Sequence, residues 1–348
     1  MPIRYVFATH AKLQEYLVNA YVRERGLPAS EILYLRNRGT FATADAAPGD
    51  GLDGDRFLPT SGRNFPAHRR ANRAREAAFR RAVLDRCAPD LRVYSAMFTY
   101  WYLRELRRRC AHHHILEDGL GSFQSLSEHD HFFRRAEGGP PAWSGAGLRR
   151  RLCLTPTQRA ADLGGRELLA TAGEFLTTSP RCFPWVAAER RVVLRDVFPP
   201  AHVGEYAGAT ILGTSCLVED RMLDLAAYRS MLGGVVRRIA ARGLARLYYK
   251  LHPRQAAGPH AGDYRAVIRA GMGATPTQEL DQSVSLERLA AGNPITLITG
   301  LSTLAFHVHG PGRRVVSYLD AVAAAAPRVL TERSVTGLAL FRELSEPL

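Results

Sequence analysis

At 348 residues the chain exceeds the usual size of one domain, so two domains of about 150 residues, each able to bury a core, are expected. A hydrophobic fraction of 46% beside 23% charged residues excludes a disordered or fibrous chain. No run approaches the ~20 uninterrupted apolar residues of a membrane-spanning helix. The formal charge of +14 is mostly arginine, densest in 63–86, 104–109 and 149–151, and draws polyanions: nucleic acid, anionic lipid headgroups, an acidic glycan or a nucleotide sugar. Five dispersed cysteines without CxxC spacing suggest neither a disulfide framework nor a zinc site, and the expected setting is a reducing cytoplasm.

The opening Ile3–Ala8 is an apolar run that turns polar at Thr9-His10, which reads as a strand and not as a signal peptide. Further strands are predicted at Ile32–Leu35, Leu91–Ala96 and His114–Leu116, with helices at Lys12–Arg25, Arg70–Cys87 and Phe98–Arg109. Residues 41–66, rich in Gly, Pro and Asp, read as a long loop. Gly138-Gly139-Pro140-Pro141 and Phe198-Pro199-Pro200 break the chain, which puts the domain boundary near 205. A second alternation follows. Its strands are Ala209–Leu212, Leu247–Leu251, Ala274–Thr277, Ile295–Ile298 and Val315–Leu319; its helices are Leu223–Arg242, one from about Tyr264, Leu286–Ala291 and Leu301–His309. The expected organisation is therefore α/β, with domains 1–205 and 206–348.

Three motifs sit at predicted strand ends, where α/β proteins bind ligands. In Glu117-Asp118-Gly119 a carboxylate can take a proton from an incoming hydroxyl, although a solvated acidic turn would look the same. In Tyr248-Tyr249-Lys250-Leu251-His252-Pro253-Arg254, Pro253 holds His252 extended at the end of its strand, where an imidazole can donate to phosphate oxygens. In Gly300-Leu301-Ser302-Thr303-Leu304 the hydroxyls either cap a helix or join its N–H groups in binding phosphate.

In this order the three resemble the bacterial sialyltransferases and polysialyltransferases, whose families share an acidic D/E-D/E-G motif, an HP motif and a Ser-Ser or Ser-Thr pair. The resemblance implies a GT-B type fold, two Rossmann-like domains facing a central cleft, the first on the acceptor side and the second binding CMP. It implies an inverting, metal-independent transfer of sialic acid from CMP-sialic acid to a glycan or glycolipid acceptor, with no cofactor. Asp118, with Glu117 beside it, would be the general base. His252 and the Ser302-Thr303 pair would hold the CMP phosphate, His252 doubling as acid, with Lys250 and Arg254 adding charge. Glu287, in Val284-Ser285-Leu286-Glu287, would hold the ribose hydroxyls, with Glu279 a weaker substitute. Ile211-Leu212-Gly213-Thr214-Ser215 looks like a Gly-Thr loop near the donor, Gly213 permitting close backbone approach.

Other features are set aside. His112-His113-His114 alternate faces on a strand and do not converge on a metal. Asp53-Gly54-Asp55 lies in the Gly/Pro-rich loop with no strand before it. Thr9-His10 would reach the edge that carries Glu117-Asp118, for acceptor contact or capping. Trp101, Tyr102 and the aromatics around Phe98 read as core. Transfer of another CMP- or CDP-linked group, Kdo or glycerol phosphate, is the enzyme alternative. A basic nucleic-acid-binding protein explains the charge but not the motifs, and peripheral contact with an anionic membrane is compatible with both charge and fold.

Overall fold

The computed structural model describes residues 1–37, 49–96, 100–128, 151–159, 165–308, 310–329 and 335–348. The chain divides into two compact units, Met1–Val197 and Phe198–Leu348. The division precedes the expected boundary near 205 because the stretch after Pro199-Pro200 is held by the second unit: Arg288 Nε donates to Pro199 O, and the Asn293 amide to His202 O.

The first unit runs β1 (Ile3–Thr9), α1 (Lys12–Arg25), β2 (Ile32–Arg36), β3 (Asp50–Asp53), α2 (Phe65–Ala82), β4 (Cys87–Ser95), α3 (Trp101–Arg109) and β5 (His112–Leu116). The short helices α4 (Pro156–Arg159) and α5 (Gly165–Thr171) follow, then β6 (Phe175–Thr177) and β7 (Arg191–Val193). The strands form one sheet in the order β3-β2-β1-β4-β5-β6-β7, every pairing parallel. α1 ends where Gly26 takes φ 60° and returns its N–H to Arg23 O and Val22 O. Phe7 meets Tyr94 at 4.7 Å and Tyr34 at 5.7 Å, which fills the centre of the sheet with aromatic rings.

The loop expected at 41–66 is only partly one. Residues 38–48 lie outside the described residues, but β3 occupies Asp50–Asp53 and α2 begins at Phe65, five residues before the predicted start. Asn64 Oδ1 accepts the Ala67 N–H and a proline stands in the first helical turn, a start signal stronger than the apolar period used to place the helix. Asp53-Gly54-Asp55 therefore does follow a strand. Trp101 and Tyr102 are core as expected, 4% and 0% exposed, while Phe98 and the Gly138–Pro141 break lie outside the described residues.

The second unit runs β8 (Thr210–Gly213), α6 (Leu225–Ala240), β9 (Leu247–Lys250), α7 (Pro253–Ala256), α8 (Ala261–Met272) and β10 (Thr277–Glu279). It continues with α9 (Leu286–Gly292), β11 (Thr296–Thr299), α10 (Leu304–His307), β12 (Arg314–Ser317), α11 (Leu319–Ala325), α12 (Val335–Leu344) and β13 (Glu346–Pro347). The order β10-β9-β8-β11-β12-β13 is again wholly parallel. Successive strand residues go to opposite faces. Leu212, Ile298 and Val316 join the core with Tyr228, Val235 and Ile268, whereas Ile211, Leu297 and Val315 join Leu289, Ala305 and Phe341. Both sheets share one topology, with the order reversing between β1 and β4 and between β8 and β11, and the carboxyl ends at such reversals are where open α/β sheets bind ligands.

The consecutive histidines of β5 do face apart. His113 Nε2 lies 2.9 Å from Leu168 O, while His114 stacks on Tyr94 at 4.3 Å and accepts the Glu174 N–H at Nδ1. Burial, reinforced by Arg92, His112 and His113, pushes the His114 imidazole down to about 3. The folded state thus binds fewer protons at this site than the unfolded state below pH ~6.5, and stability falls as the pH drops from there toward 3, by up to ~1.4 kcal/mol per pH unit. All three tryptophans (101, 143 and 185) belong to this unit, so their fluorescence during urea unfolding reports it. Between pH 6.5 and 5 the wild type is expected to lose about 1.6 kcal/mol more than His114→Phe; equal slopes would show that His114 titrates normally.

Candidate functional site

In the first unit, β1 ends at Thr9 and α1 begins two residues after His10, so Gln14 returns one helical turn later over the strand end. The His10 N–H donates to Gln14 Oε1 at 2.8 Å. His10 Nε2 lies 3.1 Å from Asp118 Oδ1, and the Gln14 amide donates to the same oxygen at 3.2 Å. His10 and Gln14 are buried, while the Asp118 side chain remains 35% exposed. Two nitrogen groups from one β–α junction therefore orient a carboxylate that solvent and ligand can reach. The turn itself is set by Gly119 at φ 55° and by the Asp118 N–H donating to Ser122 Oγ at 2.7 Å.

Glu117 is used differently. It is fully buried, and its Oε2 accepts both the Thr178 N–H (2.6 Å) and the Thr178 hydroxyl (2.8 Å), which fastens the end of β5 to the segment leaving β6. Burial, and then the Glu117 carboxylate beside it, push the Cys182 thiol well above its usual range. The two acids of the motif thus divide into a buried anchor and an accessible carboxylate.

In the second unit, Gly213 pairs with Lys250 on one side and with Thr299 on the other, so the segments leaving β8, β9 and β11 emerge side by side. His252 caps α7: Nδ1 accepts the Arg254 N–H at 3.3 Å, which leaves Nε2 to carry the proton of the neutral ring. Burial lowers the His252 pKa, with Arg254 adding to the effect, so neutrality is favoured. Ser302 Oγ accepts the Leu304 N–H at 3.3 Å, and Thr303 is the N-cap of α10 with its side chain making no cap hydrogen bond. Pro253 is exposed at the first position of α7.

Several expected contributors have protein partners. Lys250 Nζ donates to the carbonyls of Gln282 and Val284, which places the ammonium on the loop before α9. Arg254 pairs with Asp220 at 2.6 Å. Glu279 is held by two hydrogen bonds from Arg265, which keep its pKa below the usual carboxylate range. Glu287 is half-buried in the first turn of α9, accepting from Ser285 Oγ at 2.7 Å. At Gly213 an added Cβ would meet only ordinary contacts near 3.8 Å, whereas at Gly300 it would stand 2.8 Å from the Tyr318 ring and 2.9 Å from Ser215 Oγ. Close packing therefore requires glycine at 300, a position the motif included without that reason.

Gln255, absent from the sequence reading, joins these segments. Its Oε1 accepts from the Thr214 hydroxyl and the His252 N–H, and its Nε2 donates to Ser215 O (2.9 Å) and the Tyr228 hydroxyl (3.0 Å). Both lone pairs and both protons of the amide are thereby used, in a fully buried side chain. Its spacing three residues after a capping position was the available signal. Gln14 carried no signal beyond lying in the first turn after a strand.

Gln255→Leu keeps the volume but removes four hydrogen bonds, leaving the buried Tyr228 hydroxyl and the Ser215 carbonyl without the amide. It is expected to lower unfolding stability by about 2–4 kcal/mol in urea denaturation followed by circular dichroism. An effect under ~1 kcal/mol would mean that water replaces the amide.

No protein-family model matches the chain, and no curated protein sequence matches it. Solved structures do. A UDP-N-acetylglucosamine 2-epimerase from Methanocaldococcus jannaschii, solved with UDP-GlcNAc and UDP, aligns over 100% of this chain and 89% of its own, at 9% identity and a TM-score of 0.52. A protein described as the same kind of epimerase, from Listeria monocytogenes, aligns over 91% and 79%, at 11% identity and a TM-score of 0.51. The GT-B domain of a Photobacterium damselae sialyltransferase covers 99% of both chains at 12% identity, but at a TM-score of 0.47 it is too distant to argue from. What such distant likeness establishes is the fold, an α/β chain of GT-B type with two Rossmann-like domains.

Proposed function

We propose that the chain is a glycosyltransferase acting on a nucleotide-activated sugar, and that this sugar is sialic acid carried by CMP. The observation that carries the reading is the pairing of His10 and Gln14 with Asp118 at the carboxyl edge of the first sheet. A turn that was merely solvated would not have a buried imidazole and a buried amide trained on one carboxylate oxygen. Support for the donor comes from the second sheet, where His252 leaves β9 and Ser302 and Thr303 leave β11, the two strands that flank β8 beside the topological reversal.

In the proposed reaction Asp118 takes the proton of the acceptor hydroxyl as that oxygen attacks the anomeric carbon from the side opposite CMP. The bond to the phosphate oxygen breaks, the electron pair leaves with CMP, and inversion results. Nε2–H of His252, the Ser302 and Thr303 hydroxyls and the N–H groups beside them receive the phosphate. Gly213 and Thr214 line its approach, and Glu287 takes the ribose hydroxyls. Lys250 acts through the loop it holds rather than on phosphate. No metal or cofactor is required by this scheme.

Nucleotide release should be measured with CMP-Neu5Ac, CMP-Kdo, CDP-glycerol and UDP-GlcNAc. Turnover of CMP-Neu5Ac that survives EDTA is expected. Release from CMP-Kdo or CDP-glycerol alone would move the assignment to that transfer. Conversion of UDP-GlcNAc without transfer would replace it by the epimerisation named for the structural neighbours, and a metal-reversible loss in EDTA would remove the metal-free scheme.

Asp118→Asn keeps the shape but removes the proton acceptor, so kcat should fall by about 10²–10⁴-fold with CMP affinity nearly unchanged. Glu117→Gln should lower the melting temperature while the folded enzyme keeps kcat within a few-fold. The reverse pattern would make Glu117 the base.

A further inference from the structure

The charge of +14 is not spread evenly. Segment 63–86 contains eight arginines against Glu76 and Asp85, and α2 carries most of them. α2 is fixed to its unit by one side: Phe79 packs against Phe57 and Trp101, and buried Asn72 bonds Thr60 and the Cys153 carbonyl. At 100° per residue, Arg69, Arg70, Arg73, Arg80 and Arg81 fall within an arc of about 120° on the other side, over about 18 Å of helix. All five are exposed.

None of the five has a carboxylate partner among the described residues. Elsewhere arginines commonly do: Arg36 with Glu15, Arg86 with Asp50, Arg265 with Glu279 and Arg314 with Glu346. The one acid of the helix, Glu76, accepts the Thr157 hydroxyl. Arg69 and Arg73 stand at i,i+4, where like charges repel, and the first turn holds no acid to suit the helix dipole. Arg80 and Arg81, in the last turn, do suit the dipole, so it is Arg69, Arg70 and Arg73 that give this helix charge its own stability does not call for.

We propose that the arginine face of α2 docks the protein on an anionic phospholipid bilayer. Its charges form a broad field two rows wide, which matches a plane of headgroups. The residues among them are Pro66 and Ala77, so the face has no aromatic ring on which a nucleic-acid base could stack. With no large apolar side chain to insert, attachment is electrostatic, reversible and salt-sensitive. Each arginine near such a surface contributes about fivefold to partitioning, so five amount to on the order of 10³-fold.

The test is co-sedimentation of the full chain with vesicles of phosphatidylcholine alone or with phosphatidylserine added. Binding only to the anionic vesicles, abolished by high salt and by R69Q/R70Q/R73Q/R80Q/R81Q, is expected, with the Arg→Lys quintuple variant still bound. R69Q/R73Q/R80Q, which changes fewer positions, should lower partitioning about 10²-fold and covers the case in which the larger variant misfolds. A control removing five exposed arginines of the second unit (Arg229, Arg237, Arg238, Arg242 and Arg269) should stay bound. If that control detaches as fully as the α2 variant, net charge and not this face is responsible. Binding to single-stranded DNA without binding to phosphatidylserine vesicles would also overturn the assignment.

Discussion

Every strand pairing in both sheets is parallel, and the chemistry of the molecule follows from that constraint. A parallel strand cannot be reached by a tight turn, so a crossover must return the chain, and the carboxyl ends of all strands then lie on one edge of the sheet. Backbone groups there have left the ladder and need new partners, which is why polar side chains gather at those ends. His10, Asp118, Thr214, His252 and Ser302 all stand one to three residues beyond a strand. The order 3-2-1-4 repeated in each unit adds a reversal, where the segments leaving neighbouring strands diverge and open a crevice.

At both edges a buried amide does the organising. Gln14 accepts from the His10 backbone and donates to Asp118, and Gln255 joins the loops after β8 and β9 to the helix α6. An amide offers donors and acceptors without a charge to desolvate, so it can be fully buried where a carboxylate or ammonium would need a counterion. Glu117 is a buried acid, and it is met by a backbone N–H and a hydroxyl from Thr178. The charged and titratable groups that can meet a ligand, Asp118 and His252, keep partial exposure because buried neutral neighbours carry the load of fixing the loops.

How much of this could be read beforehand depended on the length of the signal. Lys12–Arg25 is legible as α1, over the observed span, because fourteen residues carry an unbroken helical period. β6 and β7 have three residues each and β13 two, too few for any alternation to emerge, and they were missed. β3 was hidden because Asp50-Gly51-Leu52-Asp53 has a composition typical of turns; it forms a strand only because Leu33–Arg36 offers a ladder edge to it. Glu117-Asp118-Gly119 was legible as a motif, but the division between its acids was not, since it depends on Thr178 and His10, residues distant in sequence. Lys250 likewise looked like a phosphate ligand until the Gln282 and Val284 carbonyls lay within its reach.

His252 shows how local geometry limits the roles open to a residue. Its Nδ1 is committed to the Arg254 N–H, and its pKa is lowered by burial, with the charges of Arg254 and Lys250 in the same direction. At neutral pH the ring is therefore uncharged, with its proton on the nitrogen not used by the cap. Such a ring is a fixed hydrogen-bond donor and a poor store of a transferable proton. A departing phosphate does not need that proton, because a monoester dianion forms readily with a second pKa near ~6; it needs hydrogen bonds that grow stronger as negative charge collects on the oxygen. In the proposed transfer His252 then stabilises the leaving group by donation from Nε2, and proton movement is confined to Asp118, where the hydroxyl of the acceptor is activated.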